Sequence, residues 1–380
     1  MTIASVHALA LDVGFSRQAL QTRRVASPMS RFPAFAERRA SWMWPTKKAF
    51  VRIETQDGTV GWSCTNGGEV TALIVREHLA RMVVGRPLDE IETLWEQMFL
   101  SLLPNDRSGF AMMAIAGVDI ALWDARTRQT GRPLTELLGG TRREHIHAYA
   151  TTPDPARLAA DGWWGLKAAM PRCVQEGDVG LDENVALMEH FRKIAGPDRR
   201  IMLDAFMAWD ADYTLRFAEA TRDLDIFWIE DPVPPYDIAG LRRIRKAAGE
   251  GIRLALGNFC FSRFDCAPLL EEGLVDILQP DVAWAGGITE TIRIIEMAEA
   301  ACVPVILHNT CEQPWALALA AARQKVPIVE FVDRGETSEL YGLMGDPPAR
   351  RGGCVAVPAG SNTPSGRVAA AFAELTGASQ

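Results

Sequence analysis

From about residue 144 the chain repeats one rhythm, a run of four to six apolar residues followed by a stretch with helical spacing. The runs are IHAYA (146–150), GLKAA (165–169), IMLDA (201–205), IFWIE (226–230), LALGN (254–258), VDILQPD (275–281), VPVILHN (303–309) and PIVEFV (327–332). The stretches between them include ENVALMEHFRKIAG, DIAGLRRIRKAAG and TETIRIIEMAEAA, each with apolar residues three and four apart. Eight strands alternating with helices predict a closed parallel barrel over 139–335. An open doubly wound sheet is the alternative, but no GxGxxG follows any run, and eight is the number that closes.

The first third follows a different pattern. KKAFVRIETQDGTVGWS (47–63) alternates apolar and polar positions around Asp57-Gly58, a hairpin signal that implies an antiparallel sheet. Residues 69–85 and 89–103 have helical spacing. Residues 1–138 are therefore expected to form an α+β capping domain, with a long loop at 17–48 placed to act as a lid. After 335 the text turns rich in Gly and Pro (GDPPARRGGCVAVPAGSNTPSG), and 336–380 is expected to return to the cap. The predicted fold is α/β: a modified TIM (β/α) barrel capped by the N-terminal region and the C-terminal tail.

The runs end on polar side chains. From the third onward these are Asp204, Glu230, Asn258, Asp281, His308 and Glu330, at intervals of 22 to 28 residues. Each interval is one strand, one helix and two loops, so the six recur at the C-terminal rim, where the chemistry of such barrels sits. One aspartate after a strand often caps the next helix; six in step need another reason. Asp204, Glu230 and Asn258 come from successive strands. Two carboxylates and a carbonyl oxygen suit a hard divalent cation such as Mg²⁺, and no second histidine or cysteine at a strand end favours zinc. An amide adds no charge, so a shell of these three sums to zero with Mg²⁺; alternatively, Asn258 marks a metal site that has been lost. His308 is the one histidine at a strand end, and Asp281 ends the preceding strand. A carboxylate beside an imidazole fixes its tautomer and raises its basicity, which suits a general base. Glu330 is placed to hydrogen-bond an oxygen that gains charge, or to pair with Arg334. Lys167, on the second run, is placed to stabilise an oxyanion, to move a proton, or to serve as a salt-bridge partner.

Composition narrows the class. The 380 residues are 48% apolar and 23% charged, with net charge -8 and a pI near 5.4. Such a chain lacks the basic face that nucleic acid or an anionic membrane requires, and no apolar run approaches a membrane span. The N-terminus has no basic segment before its apolar run, so no signal peptide is read. Seven cysteines (64, 173, 260, 266, 302, 311 and 354) form no CxxC pair and read as reduced thiols of a cytoplasmic protein. Against this acidic background, the loop at 17–48 carries Arg17, Arg23, Arg24, Arg31, Arg38, Arg39, Lys47 and Lys48 with one acid, Glu37. That concentration suits an anionic substrate. Arg39 first and Arg24 second are the expected contacts, and Trp42 and Trp44 suggest that the loop's end is packed.

These residues resemble the enolase superfamily, specifically its mandelate racemase-like branch, over nearly the whole chain. MMAIAGVDIALWDARTRQTGRPLTELLGG (112–140), IMLDAFMAWD, WIEDPVPP and LQPDVAWAGGITE look like motifs of that branch. ASPMSRF (26–32), GGEV (67–70) and the MLDAFM block look most like its L-rhamnonate dehydratases. The resemblance implies that Asp204, Glu230 and Asn258 bind Mg²⁺ and that Asp281 and His308 form the acid/base dyad. It further implies that Glu330 assists the enolate, that Arg39 reaches substrate from the cap, and that the protein is a homo-oligomer acting on a small sugar acid. Three positions depart from the pattern. The branch often carries Lys-x-Lys on the second strand; here the text is Lys167-Ala168-Ala169. Asn258-Phe259 stands where rhamnonate dehydratases carry Glu-His, although glucarate dehydratases use Asn there, and Arg24 stands where they carry a histidine.

The shared chemistry removes a proton α to a carboxylate. Racemisation needs acid/base groups on both faces of the carbanion, and Ala169 leaves only the His308 face clearly served. The expected activity is therefore dehydration of an acid sugar to a 2-keto-3-deoxy acid. A hydroxy-acid epimerase, with Lys167 as second base, and a non-catalytic relative with a weakened metal site are the alternatives.

Overall fold

The computed structural model describes residues 1–13, 24–37, 47–140, 143–334, 342–345 and 348–377. The first sheet has three antiparallel strands, β1 (Ile3–Asp12), β2 (Lys47–Thr55) and β3 (Val60–Thr65), in the order β1-β2-β3. The hairpin turns at Asp57-Gly58 as its sequence requires, with Gly58 at φ 83°. β1 was not anticipated by the sequence reading. Lys47 and Lys48 open β2, so the basic loop ends before them, and Pro28–Arg31 and Pro33–Ala36 form short helical turns inside it. The two faces of β2 divide by alternation: Ala49, Val51 and Ile53 enter the core of the cap, while Phe50 and its partner Cys64 join the core of the barrel. The helix Gly109–Thr130 is buried nearly all round between them. Gly61 allows that approach, since a Cβ there would lie 2.1 Å from the Ala121 carbonyl oxygen. The predicted helix at 69–85 forms, interrupted by a single π turn at Val75–Leu79.

The parallel sheet runs β4 (His145–Thr151), β5 (Gly165–Ala169), β6 (Arg200–Asp204), β7 (Ile226–Glu230), β8 (Leu254–Leu256) and β9 (Ile277–Leu278), and β10 (Val329–Val332) pairs back onto β4. The seventh run does not form the predicted strand. It still runs parallel beside β9, with backbone hydrogen bonds from the Leu278 amide to the Pro304 carbonyl (3.0 Å), from Ile306 to Leu278 (3.0 Å) and from His308 to Pro280 (3.1 Å). Only the bridge Leu278 to Val305 is regular; Pro304 lacks an N–H to extend the ladder, and the run ends at Asn309 in a left-handed turn (φ 49°). Among the described residues no backbone ladder joins it to β10. Side chains span the gap: the Glu330 amide donates to Thr310 Oγ1, and the Asn309 amide donates to Glu330 Oε2. The chain thus forms a TIM-like barrel under a cap. Its interior is filled by Tyr149, Met202, Trp228, Ala255, Ile277, Ile306 and Ile328, contributed by seven of the eight predicted runs.

The cap is fastened over one part of the rim. Thr65 Oγ1 donates to the Ala283 carbonyl (2.6 Å), Trp95 Nε1 donates to the Gly286 carbonyl (2.7 Å), and buried Asp119 accepts from the Thr289 amide (3.0 Å). The tail first adds β11 (Arg350–Arg351) and β12 (Cys354–Ala356), β12 pairing antiparallel with β4. It then reaches the cap, where the Asn362 amide donates to Asp124 and Phe372 lies edge-on to Trp62.

Candidate active site

Strand ends set the site, and the backbone just beyond them is strained. Six non-glycine residues described have positive φ, and four of these lie at strand ends: Phe206, Met207 and Asp231 just past β6 and β7, and Asn309 as the last residue of the seventh run. Such conformations persist where the surroundings hold them, commonly at functional sites.

One side of the mouth is crowded with acids. Asp204, Glu230 and Asp231 each present a ligand atom within 4.8 Å of the others, an arrangement that could hold a metal ion. Asp231 was not singled out from the sequence. In a continued strand it would point away from Glu230, but its φ of 40° turns it to the same place. It is 1% exposed, and neither carboxylate oxygen has a hydrogen-bond partner among the described residues. Asn258 is also buried, with its Oδ1 unpartnered. Burial, then the charges of Glu230 and Asp204, push the Asp231 carboxyl well above its usual range. Burial likewise raises Glu230 to about 7, with Lys167 opposing and Asp204 adding. Such a set of hard oxygens fits a Mg²⁺-like cation. With Asp231 beside the pair, the neutral count expected for Asp204, Glu230 and Asn258 no longer describes the neighbourhood.

The other side is internally matched. His308 Nδ1 lies 2.8 Å from Asp281 Oδ2, and Asp281 Oδ1 accepts from the Ala283 amide and Gln313 Nε2. Burial alone would lower the imidazole's pKa; the Asp281 hydrogen bond and the charges of Glu330 and Asp281 outweigh it and raise it. Glu330 accepts from Thr151 Oγ1 (2.6 Å) and the Asn309 amide (2.8 Å) and pairs with Lys167 (2.9 Å). Against burial, Lys167 and His308 hold its carboxyl down near 2. Arg334 does not pair with Glu330; it pairs with Glu312.

Lys167 joins the two sides. Its ammonium donates to both oxygens of Glu230 (2.8 and 2.6 Å) and reaches Glu330, and it is 1% exposed. Burial would favour the neutral amine, but Glu230 and Glu330 outweigh it and raise its pKa well above the ordinary value.

An arc of aromatic rings also spans the mouth. Phe206 packs against Phe259 (5.5 Å between centroids), Phe259 against Trp284 (5.8 Å) and Trp284 against His308 (5.2 Å). Of the expected substrate contacts, Arg24 is engaged by Glu37, Glu176 and the Pro171 carbonyl. Arg39 lies outside the described residues, as do Arg17, Arg23, Arg38, Trp42 and Trp44. All seven cysteines are free thiols, five of them buried.

Two family models match the chain: the mandelate racemase/muconate lactonizing enzyme N-terminal domain over residues 40–139, and the enolase C-terminal domain-like model over 154–361. Among solved structures, L-rhamnonate dehydratase from Gibberella zeae is similar at 28% identity, covering 97% of this chain and 95% of that one, with a TM-score of 0.90. The Mg complex of rhamnonate dehydratase from the same organism matches at 27% identity, with the same coverage and TM-score. A racemase from Streptomyces coelicolor A3(2) with bound magnesium matches at 26% identity and TM-score 0.77, covering 95% of each chain. No helix among the described residues is long and apolar enough to cross a membrane.

Proposed function

The chain belongs to the enolase superfamily, and from that premise we propose that it is a Mg²⁺-dependent dehydratase of acid sugars. Asp204, Glu230, Asp231 and Asn258 would hold the metal, and three oxygens left unpartnered there support the fit. When bound, the metal supplies Lewis-acid stabilisation of charge developing on the substrate carboxylate. The remaining work falls to side chains. His308, oriented by Asp281 at 2.8 Å, takes the α-proton, and the C–H electron pair passes into an enediolate. The imidazolium then protonates the 3-hydroxyl, the C3–O bond breaks, water leaves, and the enol tautomerises to a 2-keto-3-deoxy acid. Glu330 and Thr151 complete the polar surface beside the base.

The observation that carries dehydration over racemisation is the state of Lys167. A second base must be able to lose its proton. Lys167 is buried, and its three donor contacts are taken up by both oxygens of Glu230 and by Glu330. One base remains, and one base serves elimination, because the proton it takes is the proton it returns. The test is a panel of sugar acids incubated with the protein and Mg²⁺ in D₂O and followed by NMR. Keto product is expected. Deuterium at C2 of recovered substrate without keto product would overturn the reading in favour of epimerisation.

A further inference from the structure

A small, partly open cleft lies between cap and barrel beside the dyad. Its floor includes Asp281, Trp284 and Asn309; its roof includes Lys48, Cys64 and Asn66. The roof follows from strand alternation. Phe50 and Cys64 are paired partners on the face of the cap sheet that packs onto the barrel. Lys48 and Asn66, each two residues on, lie on that same face at its end. The acids in the wall are already matched: Asp281 by His308 and Gln313, Glu312 by Arg334. Lys48 and Asn66 are half-buried, and no hydrogen bond or ion pair engages either side chain among the described residues. Neighbouring Lys47, by contrast, pairs with Glu69 outside. A half-buried ammonium without an ion-pair partner among the described residues, beside a free amide and facing a cavity, is a site short of one anion.

We infer that this cavity is a subsite for a second acid group, carried at the far end of the substrate. The assignment rests on the dehydratase reading. With the substrate carboxylate held near β6 to β8 and its α-carbon against His308, the rest of the carbon chain extends past Trp284 and Asn309 toward the cap. A terminal carboxylate there meets Lys48 and Asn66. The substrate class is then the aldaric acids, which carry a carboxylate at each end, in preference to the aldonic acids.

The test uses the full chain with Mg²⁺, six-carbon aldonic acids and their matching aldaric acids. Wild type is expected to favour the diacid. Lys48→Met should raise KM for the diacid about tenfold, the loss of one charge-assisted hydrogen bond, with both constants for the monoacid unchanged. Lys48→Arg should retain the preference. Asn66→Asp, which supplies a carboxylate to Lys48 from within, should reproduce the selective loss without removing the lysine. Inorganic phosphate should compete with the diacid in wild type and not in Lys48→Met. Equal effects on monoacid and diacid, or none, overturn the subsite. So does phosphate binding through Lys48 without competition, which would make the cavity a site for a free anion. Turnover of monoacids with no diacid preference sinks this inference alone, whereas keto product from no acid sinks the dehydratase reading beneath it.

Discussion

At the ends of β6 to β8 the oxygens outnumber the donors: both oxygens of Asp231 and the Oδ1 of Asn258 are buried without a partner among the described residues. At the ends of β9, the seventh run and β10, every carboxylate oxygen is matched, those of Asp281 by His308, Gln313 and an amide, those of Glu330 by Lys167, Thr151 and an amide. An unpartnered buried oxygen costs free energy, and more if it is charged. The first half therefore waits for a cation, while the second is organised before anything binds. The pKa shifts divide the same way, with Glu230 pushed up toward 7 and Glu330 held near 2, although both touch the same lysine. If the halves are as separate as this suggests, damage to one should leave the other's signature intact.

The largest effect is expected at the matched half. His308→Asn removes the proposed base and should lower kcat by about 10²–10⁴-fold, while the rise in melting temperature on adding Mg²⁺ stays as in wild type. Near-normal turnover would remove His308 from the mechanism. The wild-type pH profile carries the same information. A base works unprotonated, so the rate should climb with pH along a limb displaced above the ordinary imidazole pKa of about 6.5. Asp281→Asn, which removes a hydrogen bond and a charge that both raise that pKa, should move the limb to lower pH. The shift also contributes to folded-state stability. That contribution is fully present below the unfolded imidazole's pKa and lost as pH rises through the folded value.

At the waiting half, Asp231→Asn should act in two directions. Replacing a buried unpartnered carboxylate with an amide should raise the melting temperature of the metal-free protein. The same change should weaken Mg²⁺ about 10–100-fold, the size typical for groups that support a metal site, read as a smaller stabilisation at fixed Mg²⁺. An unchanged Mg²⁺ response would place Asp231 outside the metal's reach and leave the role to Asn258.

That distinction also shows how far the sequence can be read. The rim positions were legible because a βα unit has nearly constant length, so one residue per unit lands at the same height. The dyad followed from adjacency of strands, and the structure places His308 and Asp281 together. Asp231 was hidden by two rules. Strand alternation points it away from Glu230, and the following Pro232 disfavours the helical alternative that would turn the chain. The left-handed turn that overrides both is a tertiary effect with no local signal. The seventh run misled in the other direction. Its apolar residues read as a strand and it does lie hydrogen-bonded along β9, but Pro304 and the turn at Asn309 cut the regular pairing to one bridge, and contacts through the side chains of Thr310 and Glu330 stand in for a ladder to β10. The partners of Lys167 were open in the sequence because a lysine's reach covers several strand ends.

The smallest expected effect is at the seam between the halves. Phe259 is the middle ring of the arc, touching Phe206 beyond the acids and Trp284 beside His308. Its side chain is apolar, so its proposed work is to shape the wall between the acids and the imidazole. Phe259→Leu keeps most of the apolar volume and removes the two ring contacts, each worth about 0.5–1.5 kcal/mol beyond area burial. The expected result is a rise in KM of roughly 2–10-fold, with kcat and the pH limb unchanged. Steady-state kinetics across the pH range would read all three. A fall in kcat comparable to that of His308→Asn would mean that the arc holds the imidazole in place through Trp284. The two halves would then be one mechanical unit, and the independence inferred from their hydrogen-bond balance would be wrong.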